Sequence, residues 1–240
     1  MKIFAIGDLH LSFFEGIEKP MDVFGSSWEE HEMRLKENWE SMVAEDDIVI
    51  ICGDLSWGLR LEETEPDFKW ISELPGKKII FKGNHDLYWQ SAGKMNRSFG
   101  SDTMVFIQNG CYLIEGEGEE FPIAICGSRG WTSPGDSGFK EEDKRLYERE
   151  LIRLKLSLDE AKEKGAKTII GVLHFPPTND KLQPSGFTDL ITEYGVKTVV
   201  YGHLHGKDSY RRGLNGILNN VRYELVSLDY LEARPKEIEL

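Results

Sequence analysis

The segment Ile48–Trp57, IVIICGDLSW, decides the fold, because it joins a short apolar run to a turn of glycine and polar residues. A run of Ile and Val this short is typical of a strand buried on both faces, as in an α/β sheet. The run stops at Gly53, and Asp54 is the first charged residue after it. The segment therefore predicts a buried strand that delivers a carboxylate to the edge of a sheet.

The same form recurs along the chain in five more apolar runs, each ending at polar or glycine-bearing residues. They are Lys2–Ile6 before GDLH, Lys78–Phe81 before KGNHD, Ile123–Cys126 before GSRGW, Thr168–Leu173 before HFPP and Thr198–Tyr201 before GHLH. The apolar spacing and turn residues between them predict helices at Ser27–Ala44, Glu141–Lys164 and Gly186–Glu193, and antiparallel hairpins at Tyr112–Cys126 and Tyr210–Leu228. This pattern predicts two sheets packed face to face with helices outside, in a single domain over residues 1–240.

Composition and charge exclude several classes of protein. Hydrophobic residues make up 40% of the chain and charged residues 30%, which excludes a disordered chain and a fibre. The net charge of −13 argues against nucleic acid and anionic membranes as partners. Three unevenly spaced cysteines without a CxxC pair argue against a disulfide framework or a thiolate zinc site. Because no run resembles a signal peptide or a membrane helix, we expect a cytoplasmic protein; the sequence does not indicate an oligomeric state.

Five of the six histidines lie within four residues of the end of a predicted strand. They are His10, His85, His174, His203 and His205. Alternate residues of an extended segment point the same way, so Asp8 and His10 can meet one metal ion, and the HxH pair at 203–205 repeats that spacing. The sixth histidine, His31, lies in a predicted helix, and we interpret it as an exposed or half-buried helical residue.

Two further residues at strand ends add oxygen ligands. Asp54 can supply oxygens to two ions at once, and Asn84 offers a neutral amide oxygen. A set of His, Asp and Asn without thiolate suits Mn²⁺, Fe or Zn²⁺ rather than calcium. Each motif alone is weak, since DxH is more often a capped turn and HxH a solvated or core pair. Their combination in order, each at a strand end, favours a metal site.

Together these blocks resemble the five motifs of the calcineurin-like metallophosphoesterases. The blocks are DLH (Asp8–His10), GDLSW (Gly53–Trp57), GNHD (Gly83–Asp86), the His174 of LHFPP and GHLH (Gly202–His205). The resemblance implies an α/β (α+β) fold: a four-layered αββα sandwich of two mixed β-sheets flanked by helices. It also implies a dinuclear metal centre at the strand ends.

The resemblance assigns a role to each residue of the blocks. The implied metal ligands are Asp8, His10 and His205 for one ion, Asn84, His174 and His203 for the other, and Asp54 as the bridge. A metal-bridging hydroxide would attack phosphorus. Asn84 and His85 would contact the phosphate, His85 would protonate the leaving oxygen as general acid, and Asp86 would orient His85.

One branch of the family fits less well. The protein serine/threonine phosphatases carry Asp-Arg-Gly in the second block and Glu after the Asn-His pair, whereas this chain has GDLSWGLR and Asp86. The pattern is closer to the prokaryotic phosphoesterases. We therefore expect hydrolysis of phosphate mono- or diesters of a small phosphorylated molecule. The alternatives are a nuclease or nucleotide phosphodiesterase, and a non-catalytic scaffold with the same fold.

Two segments outside the blocks bear on the substrate. Arg129, in GSRGW, can meet a phosphate in bidentate fashion or form a surface salt bridge, and the sequence favours neither. The insertion at residues 11–26 carries Phe13, Phe14, Met21 and Phe24. It can be a lid over an apolar leaving group or can pack on the helix that follows.

Overall fold

The computed structural model describes all 240 residues, and the chain divides into two compact units. Unit 1 comprises Met1–Phe106 and Val226–Ile238, and unit 2 comprises Ile107–Leu225 and Glu239–Leu240. The assignment of residues 1–240 to a single domain stays a prediction. None of the helices combines the length and the apolar character that crossing a membrane requires.

Eleven strands and six α-helices make up the chain. The strands are β1 (Ile3–Ile6), β2 (Ile48–Ile51), β3 (Lys77–Phe81), β4 (Met104–Ile107), β5 (Cys111–Ile114), β6 (Ile123–Gly127), β7 (Thr168–Val172), β8 (Thr198–Tyr201), β9 (Gly216–Leu218), β10 (Val221–Leu225) and β11 (Lys236–Glu237). The helices are α1 (His31–Met42), α2 (Glu65–Glu73), α3 (Ala92–Phe99), α4 (Glu141–Glu163), α5 (Gly186–Glu193) and α6 (Lys207–Tyr210).

Unit 1 is built on a five-stranded sheet in the order β11-β1-β2-β3-β4. Strands β1, β2 and β3 are parallel, with Ala5 opposite Ile50 and Ile50 opposite Ile79, and β11 runs antiparallel to β1. Helix α1 contributes Leu35 and Trp39 to the hydrophobic core of this unit. Because β1, β2 and β3 are parallel, the loops that follow them leave the same edge of the sheet.

Unit 2 is built on a six-stranded sheet in the order β5-β6-β7-β8-β10-β9. Strands β6, β7, β8 and β10 are parallel, and the edge strands β5 and β9 are antiparallel to their neighbours. Helix α4 packs on β6, where the Ser157 hydroxyl accepts a hydrogen bond from Gly127 N at 2.8 Å. Gly165, with φ of 76°, ends this helix.

The structure confirms the predicted α/β class with two mixed sheets flanked by helices. The six predicted strands agree with β1, β2, β3, β6, β7 and β8 within one residue at each end. The helix predicted at Ser27–Ala44 spans only His31–Met42 in the structure, because Glu30 adopts φ of 46° and separates a 3-10 turn from α1. The predicted hairpin Tyr210–Leu228 is also shorter, since only β9 and β10 pair and Tyr210 ends α6.

Candidate metal centre

The loops after β1 and β2 run side by side in unit 1. The Asp8 amide donates to Gly53 O at 2.9 Å, and the His10 amide donates to Asp54 O at 3.0 Å. The pairing of the two loops continues at the next residue, where Leu11 N donates to Leu55 O at 2.8 Å. The backbone of one block therefore fixes the position of the other, and two separate motifs of the sequence become one structural element.

Asp8, His10 and Asp54 form a buried cluster. Asp8 offers a carboxylate oxygen within 4.8 Å of a ring nitrogen of His10 and of a carboxylate oxygen of Asp54. The His10 Nε2 atom lies 4.0 Å from Asp54 Oδ2. All three side chains are at most 2% exposed. Two carboxylates this close repel each other when buried, and a divalent cation between such donors removes that cost. The donor set and its burial fit a metal ion.

Four of the predicted ligands adopt left-handed backbone conformations, which non-glycine residues rarely occupy. The φ angles are 59° at Asp8, 48° at His10, 53° at Asp54 and 73° at His203. Such conformations cost about 1–3 kcal/mol each and persist where the surrounding structure imposes them. Four of the eleven non-glycine residues with positive φ in this chain are thus predicted ligands.

The loop after β3 brings His85 to the same cluster. The His85 amide donates to Asp54 Oδ1 at 2.7 Å, and its ring centroid lies 5.7 Å from that of His10. The His85 imidazole itself is exposed and makes no hydrogen bond to another protein group. Asn84, next to it, is half-buried. His85 is therefore placed by its backbone, and its ring remains accessible.

Asp86 has partners other than the predicted one. Its Oδ2 atom accepts hydrogen bonds from Asp54 N at 2.9 Å and Gly83 N at 2.7 Å. Its Oδ1 atom accepts from Leu55 N at 2.9 Å and from the Tyr88 hydroxyl at 2.8 Å. None of these donors is the His85 imidazole, so the predicted orienting contact between Asp86 and His85 is absent. The carboxylate joins the second and third blocks instead.

The environment of Asp86 also perturbs its ionisation. Burial, together with the nearby Asp54 carboxylate, raises the pKa of Asp86 above its usual value. Burial and the neighbouring Asp86 raise the pKa of the Tyr88 phenol well above its usual value, so the phenol remains a hydrogen-bond donor. The four hydrogen bonds compensate for the removal of the Asp86 carboxylate from water.

Gly53 and Gly83 permit the close approach of these loops. Gly53 has φ of 95°, and a Cβ atom added there would collide with the Gly83 backbone. A Cβ added at Gly83 would overlap the Asp54 backbone and carboxylate. Both positions therefore require glycine, because a side chain at either would collide with the neighbouring loop.

In unit 2, three loops leave the parallel strands in the same way. The amides of His174 and Phe175 both donate to Arg129 O, at 2.9 and 3.0 Å, and Gly202 N donates to His174 O at 3.1 Å. His174 is fully buried, and its ring centroid lies 5.1 Å from that of His203. The Phe175 ring packs on His203 with a centroid separation of 4.1 Å.

His205 and Arg129 complete the predicted residues of unit 2. His205, like His203, is half-exposed in the loop after β8. The Arg129 guanidinium lies 4.5 Å from the Trp131 ring centroid, and its Nη2 atom lies 3.8 Å from Oε1 of the buried Glu150. The salt bridge considered for Arg129 is thus present, although with a buried partner. Its role in phosphate binding stays a prediction.

Comparison with known proteins identifies the family. A family model described as calcineurin-like phosphoesterase matches residues 1–207. The chain belongs to this family. Members of this family depend on metal, and the residues described above supply candidate ligands.

Sequence relatives of this phosphoesterase cover only part of the chain. The gene 66 protein of Mycobacterium phage L5 is 37% identical over 81 residues, which are 33% of this chain and 37% of the phage protein. The gene 66 protein of Mycobacterium phage D29 is 35% identical over 57 residues, 24% of this chain and 28% of the phage protein. The chain thus spans about a third of the length of these relatives.

Solved structures share the fold over nearly the whole chain. A structure described as phosphopantetheinyl hydrolase (PptH) from Mycobacterium tuberculosis has a TM-score of 0.58 at 16% identity, covering 99% of this chain and 95% of that one. TT1561 of Thermus thermophilus has a TM-score of 0.57 at 14% identity, covering 99% and 97%. The AQ665 protein from Aquifex aeolicus, described as of unknown function, has a TM-score of 0.53 at 15% identity, covering 98% and 95%. At these identities the likeness concerns the fold alone.

Trp57 contacts both histidines of the unit 1 site, which sequence reasoning did not foresee. Its ring stacks on His10 with centroids 4.7 Å apart and lies 4.7 Å from the His85 centroid. Two residues of the insertion also contact Trp57. Met21 Sδ accepts a hydrogen bond from Trp57 Nε1 at 3.3 Å, and Lys19 Nζ lies 5.3 Å from the ring centroid. The insertion is therefore tied to the site through one aromatic ring.

Asp67 is a second residue that the sequence did not single out. This buried carboxylate accepts hydrogen bonds from Phe13 N at 2.8 Å and from the Ser56 hydroxyl. It thus joins the start of the insertion to the second block. Burial raises the pKa of Asp67 above its usual value. Because Asp67 lies in α2, 54 residues along the chain from Phe13, only the folded structure shows this connection.

The interpretation of His31 as an exposed or half-buried residue is wrong. His31 is 3% exposed, and its Nε2 and Nδ1 atoms lie 3.1 Å from Leu9 O and 3.2 Å from Trp28 O. Leu9 lies between Asp8 and His10 in the first block. His31 therefore supports the backbone of the first block through its contact with Leu9 O.

Replacing His31 by phenylalanine is expected to destabilise the protein by about 1–3 kcal/mol, because it leaves a buried carbonyl oxygen without its donor. We also expect weaker binding of Mn²⁺, since Leu9 fixes the two ligands beside it. Urea unfolding and calorimetric Mn²⁺ titration measure the two effects. The control is Glu32→Gln, which changes only a partly exposed carboxylate 3.3 Å from His31 Nδ1. Equal stability of His31→Phe and the wild type would contradict this role.

Proposed function

We propose that this chain hydrolyses phosphate mono- or diesters of a small molecule with the help of two divalent cations, Mn, Fe or Zn. One observation carries the proposal: Asp8, His10 and Asp54 form a buried donor cluster, with the exposed His85 ring beside it. A fold needs no such arrangement for stability, since close buried carboxylates destabilise it. Family membership supports the same chemistry.

The proposed ligands are those of the five blocks. They are Asp8, His10 and His205 for one ion, Asn84, His174 and His203 for the other, and Asp54 for both. Bound cations of this type neutralise the phosphate and activate water for in-line attack on phosphorus. A carboxylate at the shared position is required because one imidazole nitrogen cannot bind two cations.

His85 is the proposed general acid. Its ring is accessible and free of hydrogen bonds to the protein, while its amide is held by Asp54. The Trp57 ring contacts the His85 ring, with centroids 4.7 Å apart. An imidazolium in this position can donate its proton to the leaving alkoxide, and such a step contributes about 10²–10⁴-fold to rate. Asn84 and Arg129 are proposed to contact the phosphate.

The substrate is proposed to be a small phosphorylated molecule rather than a nucleic acid. The net charge of −13 opposes binding of a polyanion. The local cationic cluster, Lys207, Arg211 and Arg212, follows β8 and is small. No contact in the structure specifically favours a nuclease.

The test is metal-dependent hydrolysis of paired chromogenic substrates, p-nitrophenyl phosphate and bis-p-nitrophenyl phosphate. We expect stripped protein to be inactive and Mn²⁺ to restore turnover of at least one ester. In Asp54→Asn, restored turnover is expected to fall by about 10³-fold or more, because the shared carboxylate is lost. The ratio of the two rates assigns the mono- or diester class.

The matched control is Asp102→Asn, which alters an exposed aspartate on a turn of unit 1. We expect it to retain wild-type turnover. Two Mn²⁺ bound per chain without turnover of either ester would contradict activity towards simple phosphoesters. Absence of Mn²⁺ binding by the wild type would support the non-catalytic scaffold instead.

A further inference from the structure

Unit 2 contains a cavity of about 200 Å³ whose walls come from the loops after β6, β7 and β8. Ser133 belongs to the first loop, Phe175 and Thr178 to the second, and His203 and Arg212 to the third. Since His203 is a proposed metal ligand, the cavity begins at the proposed reaction centre. Ser133, Thr178 and Arg212 lie outside the five sequence blocks.

Two residues that line this cavity carry buried hydroxyl groups without a hydrogen-bond partner. These are the Oγ atom of Ser133, which is 1% exposed, and the Oγ1 atom of Thr178, which is 3% exposed. The buried Oδ1 atom of Asp180, in the same wall, also has no partner. More than nine-tenths of buried polar groups in proteins are hydrogen-bonded, so unpaired atoms around one cavity indicate a missing ligand.

Hydrogen bonds between the loops fix this wall. Asp180 N donates to Asp136 Oδ2 at 3.1 Å, and Ser137 N donates to Asp180 Oδ2 at 3.2 Å. Asn179 Nδ2 donates to Pro134 O at 3.2 Å. The wall is therefore preformed, as small-molecule sites usually are, and its polar atoms keep fixed positions for a ligand.

We propose that the cavity binds the alcohol half of the phosphoester, and that this half is a polyhydroxy group of monosaccharide size. This inference rests on the proposed function. The hydroxyls of Ser133 and Thr178 can donate and accept, whereas Asp180 Oδ1 only accepts, so a ligand whose hydroxyl groups both donate and accept can pair with all three. Phe175 and Leu204 provide apolar contact for the C–H face of a ring.

The charged groups of the wall also suit a polyhydroxy ligand. Asp136 and Asp180 supply acceptors for ligand hydroxyls, and the guanidinium of Arg212 supplies donors. Hydrolysis breaks the bond between phosphorus and the alcohol oxygen, and water supplies the new oxygen on phosphorus. The alcohol oxygen receives the proton and leaves as a neutral polyol.

Ligand-observed NMR with the metal-stripped, full-length protein tests the binding itself. We expect saturation transfer to D-ribose or D-glucose, and a dissociation constant raised about three- to tenfold by Ser133→Ala and by Thr178→Val, as for loss of one neutral hydrogen bond. Tyr223→Phe is the control, because it removes an equally buried, unpaired hydroxyl of the same unit outside the cavity. Absence of transfer to every sugar, or equal weakening by Tyr223→Phe, overturns the proposal.

Kinetics separate this proposal from the proposed function. With Mn²⁺-loaded protein, we expect Ser133→Ala and Thr178→Val to lower kcat/KM for ribose 5-phosphate or glucose 6-phosphate, relative to p-nitrophenyl phosphate, about three- to tenfold through KM. Turnover of p-nitrophenyl phosphate with an unchanged ratio overturns the cavity proposal alone. If the two variants weaken sugar binding but the protein hydrolyses no phosphoester, the proposed function is overturned and the cavity proposal stands.

Discussion

Replacing His85 by alanine is expected to lower kcat for an alkyl phosphate by about 10²–10⁴-fold without loss of bound metal. The His85 ring is exposed and makes no hydrogen bond to the protein, so its removal leaves the buried donors Asp8, His10 and Asp54 in place. The amide of residue 85 can still donate to Asp54 Oδ1, because that bond involves only the backbone. In this variant we therefore expect kcat to fall while the content of bound metal stays unchanged.

The leaving group decides whether the lost function is proton donation. A p-nitrophenolate leaves without help from an acid, whereas an alkoxide must be protonated. We therefore expect His85→Ala to lower turnover of p-nitrophenyl phosphate much less than turnover of an alkyl phosphate. Leu87→Ala, which changes a side chain that is 64% exposed in the same loop, serves as the control. Equal losses on both substrates would show that His85 binds phosphate instead of acting as an acid.

The strands that lead to the site could be predicted from the sequence, because their signal is local. Each is a short run of β-branched and aromatic residues that ends at a glycine or a polar residue, and each boundary agrees with the structure within one residue. Strand β4 carries the same signal, the run MVFI before Gln108, but was not predicted, whereas strand β11 gives no comparable signal. Strand β11 has only two residues and pairs with Phe4 and Ala5 from the far end of the chain. Such pairing depends on tertiary structure.

The role of Asp86 could not be inferred from the motif alone. The resemblance implied that Asp86 orients His85, but the turn directs the His85 side chain outward and the Asp86 side chain inward. The Asp86 carboxylate accepts from three backbone amides of the second and third blocks and from the Tyr88 hydroxyl. In a turn, the direction of a side chain depends on backbone dihedrals that a motif does not encode.

Residues that support the site from a distance were the hardest to find. His31, Trp57 and Asp67 each contact a block or its ligands, yet none has the spacing of a ligand. His31 was interpreted from its helix alone, and its burial follows from the left-handed turn at Glu30 that begins α1. A buried polar residue that bonds to the backbone of a loop is visible only when both chain segments are placed.

Replacing Asp86 by asparagine is expected to destabilise the protein by about 2–5 kcal/mol and to abolish Mn²⁺ binding at micromolar concentration. The carboxylate accepts from Asp54 N, Gly83 N, Leu55 N and the Tyr88 hydroxyl. An asparagine amide keeps one acceptor oxygen and turns its NH₂ towards two of these donors, which are then buried without partners. Asp54 and the amide of His85 should lose their fixed positions as a consequence.

Urea unfolding of metal-free protein measures the stability, and calorimetric titration with Mn²⁺ measures the binding. The control is Asp143→Asn, whose carboxylate accepts from Trp131 Nε1 at 2.9 Å and Lys140 N at 2.8 Å near the surface at the start of α4. Because water can replace those bonds, we expect a loss of about 1 kcal/mol and unchanged Mn²⁺ binding. Wild-type stability and affinity in Asp86→Asn would show that the backbone contacts between the loops hold the ligands without this carboxylate. If Mn²⁺ binding is lost in Asp86→Asn but not in Asp143→Asn, the geometry of the metal site depends on a residue that binds neither metal nor substrate.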